Sequence, residues 1–315
     1  MAQVDSLEDK IVVLIGGGGF LGSHVAEVLL RRGARVRIAE RHPEQAYHLR
    51  ALANLGQIQF LRANVRDKHS LDAATRGADA VVYLVGTFGD AQFELQAEGA
   101  GEAAKAAAAN GAKAFVYISA LGADPASDSG YASSKGEGEQ LVREAFPTAT
   151  VVRPSVLFGD DDKFVSLFAG LIAALPALPV FGAESRLQPL FVDDAAEAIV
   201  NALADSEIHG GKTYEIAGPE ILTVEELHHR ISKAQGRERV FFRLPDAIAA
   251  LFAVLPGTPM NSDQWKLLKR GNVASGQLPG CDKLGVQPKP LGLFLDRWMM
   301  RYRKHGRFGT KNELA

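Results

Sequence analysis

The stretch VVLIGGGGFLGSHVAEVL, Val12 to Leu29, runs an apolar strand into four consecutive glycines and then into a helical pattern. Gly16, Gly19 and Gly22 fall in the spacing GxxGxxG. Each has a mechanical reason to be glycine: a tight turn, a backbone bare enough for a pyrophosphate to approach, and close packing of helix on strand. Backbone N–H groups at the helix start face the phosphates, helped by the helix dipole. In this strand–turn–helix setting the motif predicts a bound dinucleotide. The next strand-like run, ARVRIAE, ends at Glu40 and Arg41, where a side chain that reads the adenosine ribose is expected. Glu40 accepts hydrogen bonds from a 2′-hydroxyl and repels a 2′-phosphate. Arg41, or Arg37 further back, pairs with that phosphate or stacks on adenine. The residues point in opposite directions, so NAD and NADP both remain open.

Outward from the glycines, apolar β-rich runs alternate with helical spacing: KIVVLI, ARVRIAE, IQFLRA, DAVVYLVG, KAFVYIS and ATVVRP. Such alternation indicates βαβ units and a parallel sheet covered on both faces. The expected fold class is α/β, a Rossmann-type doubly wound parallel sheet with a smaller C-terminal lobe. Gly33, Gly77 and Gly111 stand between helical segments and the next strand, where a helix C-cap favours glycine. The alanine-rich EGAGEAAKAAAANG reads as an ordinary helix packed closely on the sheet. After Pro154 the spacing loosens, which puts the expected domains at residues 1–155 and 156–315, with a soft boundary and some later segments returning to the sheet.

The 315 residues suffice for a large core, and a net charge of −2 gives no field to gather nucleic acid. Cys281 is the lone cysteine, so neither an intrachain disulfide nor a thiolate metal cluster is expected. No apolar stretch reaches the roughly 18 residues that span a bilayer. The opening MAQVDSLEDK lacks the marks of a secretory or mitochondrial leader, so the protein is expected to stay in the cytoplasm. Asp160, Asp161 and Asp162 form an acidic run that reads as a helix start rather than a metal cage. His228 and His229 are adjacent on a helix and face different ways, and Asp193 and Asp194 read as helix-start residues. No metal site is expected.

SALGADPASDSGYASSKGEGEQLV places Tyr131 and Lys135 at i and i+4, on one helix face. In a dehydrogenase that spacing lets the ammonium hold the cofactor ribose and lower the phenol pKa, so that Tyr131 passes a proton while the nicotinamide passes a hydride. Together with the glycine turn, a fifth strand ending in Ser119, and the later VRPSVLFG and LQPLFVDDAAEAI, this resembles the extended or atypical branch of the short-chain dehydrogenase superfamily. GGGGFLGSHV, ISALGADP, GPEILTVEEL and NSDQWKLLKRGNV narrow it: the chain is similar to the nucleotide-binding accessory subunits of respiratory complex I and their bacterial relatives.

The resemblance implies a tightly held NAD(P)(H), tilted toward NADP(H), with Glu40 against that tilt. It implies cofactor contacts at Gly16, Gly19, Phe20, Leu21, Gly22, Glu40, Arg41, Asn64, Val65, Val85, Gly86, Ser119, Tyr131, Lys135, Pro154 and Val156. Active members carry a hydroxyl beside the tyrosine, commonly one residue beyond the position of Ser119, and there this chain has Ala120. Ser119 is the substitute, while Ser133 and Ser134 project away from the Tyr131 face. The implied functions are an accessory or assembly protein of complex I with a mainly structural cofactor, a reductase or epimerase using Tyr131 and Lys135, or a role in ubiquinone biosynthesis. Two later segments bear on partners. LPDAIAALFAVLPG is apolar almost all round and reads as core. FLDRWMMRYRKHGRFG mixes Trp298, Met299, Met300 and Tyr302 with Arg297, Arg301, Arg303, Lys304 and Arg307, which suits a complex I partner or the inner face of the cytoplasmic membrane.

Overall fold

The six apolar runs form six strands because each is rich in β-branched and aromatic residues and short enough to be covered by helices on both sides. The computed structural model describes residues 7–255 and 260–303. In chain order it has β1 (Ile11–Ile15), α1 (Phe20–Arg31), β2 (Arg35–Glu40), β3 (Ile58–Arg62), α2 (Lys68–Thr75), β4 (Ala80–Tyr83), α3 (Gly99–Ala109), β5 (Ala114–Ile118), α4 (Gly130–Ala145) and β6 (Thr150–Pro154). Then come β7 (Leu157–Phe158), α5 (Phe164–Ala174), β8 (Ala177–Val180), β9 (Arg186–Leu187), β10 (Leu190–Phe191), α6 (Val192–Ala204), α7 (Ser206–His209) and β11 (Thr213–Ile216). The remainder holds β12 (Leu222–Thr223), α8 (Val224–Ala234), β13 (Val240–Arg243), α9 (Asp246–Val254), α10 (Ser262–Arg270) and α11 (Gly292–Trp298).

The chain leaves its first unit after Pro154 and returns to it at Val192–Ile216 and Ala274–Gln287. This unit is built on a seven-stranded sheet in the order β11-β6-β5-β4-β1-β2-β3. Every neighbouring pair is parallel. The strand order reverses direction at β1, and in open α/β sheets that is where ligands bind. Val12, Val13 and Leu14 of β1 and Val81, Val82 and Tyr83 of β4 are sealed from solvent, each contributing about 1.5–3 kcal/mol of burial. On α3 the small side chains Ala100, Ala103, Ala104 and Ala107 face the sheet at 0% exposure, so the alanine-rich helix is packed closely, as its sequence predicts.

The second unit comprises Ser155–Phe191, Ala217–Val273 and the chain from Pro288. It carries three two-stranded pairings, β10 with β7, β12 with β9 and β13 with β8. Thr223 and Glu226 close a capping box at the start of α8. Asp162 accepts from the N–H groups of Gly159, Val165 and Ser166, which fastens the start of α5 and accounts for that member of the acidic run.

The C-terminal third departs from expectation at one element. Trp298 stacks on Phe294 at 4.9 Å, and Phe294 on Phe191 at 4.1 Å, with Phe158 completing the cluster. Met299 is 1% exposed. Arg301 pairs with Asp160, and Arg303 donates to the Ala234 carbonyl. The rings of this segment thus pack on one another within the unit, with Trp298, Met300 and Tyr302 half-buried, while Arg297 and Arg301 stand exposed. Lys304 and Arg307 lie outside the described residues. α9 is not wholly core: Ile248, Leu251 and Leu255 are 50%, 66% and 52% exposed, because Ala249, Ala253 and the ring of Phe252, packed on Phe181, take the inward side.

Candidate functional site

The bend between β1 and α1 is shaped by what cannot fit there. Gly16 has φ +83°, a conformation costly for any residue with a Cβ. A Cβ on Gly17 would lie 2.7 Å from the Leu14 Cβ, one on Gly18 2.6 Å from the Ala46 Cβ, and one on Gly22 2.6 Å from the Gly17 carbonyl oxygen. Of the three motif glycines, Gly22 is therefore the packing residue and Gly16 the turn residue. Gly19, the N-cap of α1, makes no side-chain cap, and no acidic residue sits in the first turn. Helix-start N–H groups left without a cap suit a phosphate. Phe20 opens the helix, half-buried and edge-on to His24, with Leu21 beside it.

Glu40 ends β2 and turns its carboxylate back onto the bend, accepting the Gly18 N–H. Burial raises its pKa, opposed by the Gly18 bond and by the nearby His48 and His42. Arg41 is exposed at the strand end, and its carbonyl accepts from Arg62. Arg37 is engaged elsewhere: its guanidinium donates to the carbonyls of Ala74 and Arg76 at the end of α2. Asn64 is engaged locally, accepting the Arg66 N–H and exchanging backbone bonds with Ser70. Val65 and Val85 pack against the core of the sheet, and Gly86 is exposed beyond β4.

On α4 the predicted pair is present but differently engaged. Lys135 is 2% exposed. Its ammonium donates to the carbonyls of Ile118 at 2.8 Å and Val85 at 3.1 Å, at the ends of β5 and β4. Burial pushes its pKa down to about 7, with Glu139 pulling the other way. Tyr131 lies one turn earlier, its ring stacked on Phe88 at 4.4 Å and 18°. Burial pushes its phenol up to about 12. At neutral pH the phenol is protonated, so Tyr131 is equipped to give a proton rather than take one.

Ser119 follows β5 and is 2% exposed. Its hydroxyl donates to Glu139 at 2.5 Å. Glu139 also accepts twice from Arg153, both at 2.7 Å. Arg153 further faces Glu215 at 3.9 Å, and Glu215 accepts the Ser275 N–H. The serine hydroxyl is thus committed to a buried carboxylate, and Ala120 has none to offer. Ser133 donates to the Pro125 carbonyl and Ser134 to that of Tyr131.

Sequence reasoning missed Gln96 and Glu139. Gln96, at 0% exposure, lies in a π-helical turn, Glu94–Glu98, a distortion often found at functional sites. Its side-chain amide donates to the Thr87 carbonyl and to the Ser134 hydroxyl, and its own carbonyl accepts from Tyr117. The signal for this packing was the glycine pair Gly136 and Gly138 in mid-helix, each costing about 1 kcal/mol of helix propensity. A Cβ on Gly136 would stand 2.5 Å from the Pro125 nitrogen, and one on Gly138 would collide with the Tyr117 hydroxyl. In the second unit, Val156 gives its N–H to the Asn272 side chain at 2.6 Å, and the Ser155 hydroxyl is buried without a partner. Pro154 ends β6, and its carbonyl accepts the Leu121 N–H.

Residues 16–168 match the family described as NAD(P)H-binding, and the crowded glycine bend with its uncapped helix start fits such a ligand. The chain is 32% identical over 315 residues to the mitochondrial NADH dehydrogenase (ubiquinone) 1 alpha subcomplex subunit 9 of Mus musculus, covering 95% of this chain and 82% of that protein. It is 30% identical over 240 residues to the ceramide reductase of Caulobacter vibrioides, covering 75% and 74%. Among solved structures, the dTDP-glucose 4,6-dehydratase DesIV of Streptomyces venezuelae, with NAD and TYD bound, aligns with a TM-score of 0.71 at 20% identity over 95% of this chain and 98% of that one. That likeness concerns the fold.

Replacing Glu139 by alanine strands the half-buried Arg153 guanidinium and the Ser119 hydroxyl. Urea denaturation of Glu139→Ala is expected to show a loss of about 3–5 kcal/mol, the usual cost of breaking a buried ion pair from one side. A loss indistinguishable from that of an exposed surface substitution would contradict the network.

Proposed function

We propose that this chain, which belongs to the family of the mitochondrial NADH dehydrogenase (ubiquinone) 1 alpha subcomplex subunit 9, is a dinucleotide-holding accessory or assembly protein of a respiratory NADH dehydrogenase. The observation that carries this reading is the commitment of Ser119 to Glu139 beside an alanine at position 120. Without a free hydroxyl next to Tyr131, a carbonyl substrate loses the second donor that would hold it. Lys135 is likewise occupied by two strand-end carbonyls. A ligand that binds only the folded chain stabilises it by mass action, about 2.7 kcal/mol at a hundredfold excess over Kd. The cofactor then serves architecture: the glycine bend and the start of α1 hold its pyrophosphate, and Tyr131, Lys135, Val85 and Gly86 border the rest. This role places the protein peripherally on the inner face of the cytoplasmic membrane. None of the described helices is long and apolar enough to cross a membrane.

A second reading is a reductase. It is favoured by the retained Tyr131 and Lys135 and by the similarity to a ceramide reductase. When bound, a reduced nicotinamide supplies hydride; this chain's part is the phenol proton of Tyr131, with Lys135 below it.

Within NAD(P)(H), Glu40 supports the form without a 2′-phosphate. Its carboxylate already sits on the Gly18 N–H, Arg37 is spent elsewhere, and a phosphate beside a carboxylate is repelled. Titration calorimetry is expected to give at least a tenfold lower Kd for NADH than for NADPH, with the gap narrowing in Glu40→Gln. Equal affinities would remove the assignment. For the function itself, affinity purification of the tagged protein from native membranes is expected to recover subunits of a respiratory NADH dehydrogenase, with no dinucleotide oxidation when carbonyl compounds, ceramide-type ketones included, are offered. A clean monomer or homodimer that oxidises the dinucleotide with a carbonyl compound would overturn it in favour of the reductase.

A further inference from the structure

Helix α9 has one side in a small core, where Phe252 packs on Phe181 at 5.1 Å, and one side in water. Ala249 and Ala253, at 0% and 4% exposure, face inward against Trp265, with Phe181 and Leu268 alongside. The larger Ile248 and Leu251, together with Leu255 just past the helix end, face outward and stand 50%, 66% and 52% exposed. Their spacing, i, i+3 and i+7, makes one stripe. A stripe of large aliphatic side chains left in water on one side of a helix suits a surface that something else covers. The strand that leads into the helix adds Val240 and Phe242, 66% and 46% exposed.

The charge pattern says what covers it. From Ala247 to Ser262 no residue carries a charge. The cations stand beside this stretch: α10, which packs on α9, exposes Lys266, Lys269 and Arg270. Residues 240–273 hold four Lys or Arg against two Asp, and of the four Arg243 is paired with Glu184 and Glu225, which leaves the three cations of α10 facing two carboxylates. Asp246 is paired with Lys269 at 2.9 Å, both more than half exposed. A helix of nine residues spans about 14 Å at 1.5 Å per residue, half of the roughly 30 Å of a bilayer core, so it can lie in a membrane interface but not cross it. An aliphatic helix face with exposed cations on the helix packed beside it suits a surface of anionic lipid headgroups, with the aliphatic side chains at the acyl boundary.

We propose that the Ile248–Leu251–Leu255 face of α9 docks on an anionic phospholipid surface, with Lys266, Lys269 and Arg270 at headgroup level. The inference does not rest on whether the dinucleotide site turns over, since an accessory protein of a membrane enzyme and a reductase of lipid carbonyls both work at a bilayer.

The test is flotation of the full chain with vesicles of phosphatidylcholine alone and of phosphatidylcholine with about a third phosphatidylglycerol, at about 0.1 M salt, where surface charges are screened beyond about 10 Å. The expected result is at least tenfold more protein on the anionic vesicles, with binding falling as salt rises. In Ile248→Glu/Leu251→Glu, binding should drop at least tenfold while melting temperature and NADH affinity stay at the unsubstituted values. No preference for anionic vesicles, or unchanged binding by the double variant, would overturn the proposal. So would a concentration-dependent dimer, seen by light scattering and lost in the double variant, since the face would then belong to a second copy.

Discussion

The bend between β1 and α1 has no room for side chains, and the remainder of the site is arranged around that fact. With Gly17, Gly18 and Gly22 bare, α1 settles directly on the sheet and its first N–H groups emerge beside the end of β2. The same closeness lets Glu40 reach the Gly18 N–H. A single methyl on Gly22 would push against the Gly17 carbonyl and move the helix start away from the strand ends. The close seat of α1 and the reach of Glu40 to the bend are thus one packing problem, solved by the absence of atoms.

A second constraint is the burial of charge on α4. Lys135 and Glu139, one turn apart, are 2% and 5% exposed, and each is satisfied by different groups. The ammonium finds two strand-end carbonyls and the carboxylate finds Arg153 and Ser119. Buried charges persist only when every donor and acceptor is met. Here the partners include the very hydroxyl that a carbonyl-reducing site would need free. The arrangement that holds α4 against β5 and β6 also engages the Ser119 hydroxyl.

Much of this was legible in the sequence. The six runs from KIVVLI to ATVVRP became β1 to β6, since strands buried on both faces announce themselves as short apolar β-branched runs. The glycine turn and the Tyr131–Lys135 spacing were legible because each depends on local geometry. What escaped was set by residues far apart in the chain: that Ser119 would meet Glu139, that Gln96 would sit in a π-turn between Thr87 and Ser134, and that Arg37 would be taken by the end of α2. Apolar segments were ambiguous for the same reason. Periodicity reports that a helix is apolar, not which side its neighbours take, so α9 read as core throughout although one of its sides is exposed.

Amides at the glycine bend that meet a dinucleotide are the contact on which the proposed role depends. Hydrogen exchange of the full chain, followed by mass spectrometry with and without saturating NADH, tests this most directly. The prediction is slowed exchange in peptides covering Gly16–Ser23 and Tyr131–Glu139, with the peptide covering Ile248–Leu255 unchanged. Identical exchange across Gly16–Ser23 in the presence and absence of the dinucleotide would contradict it.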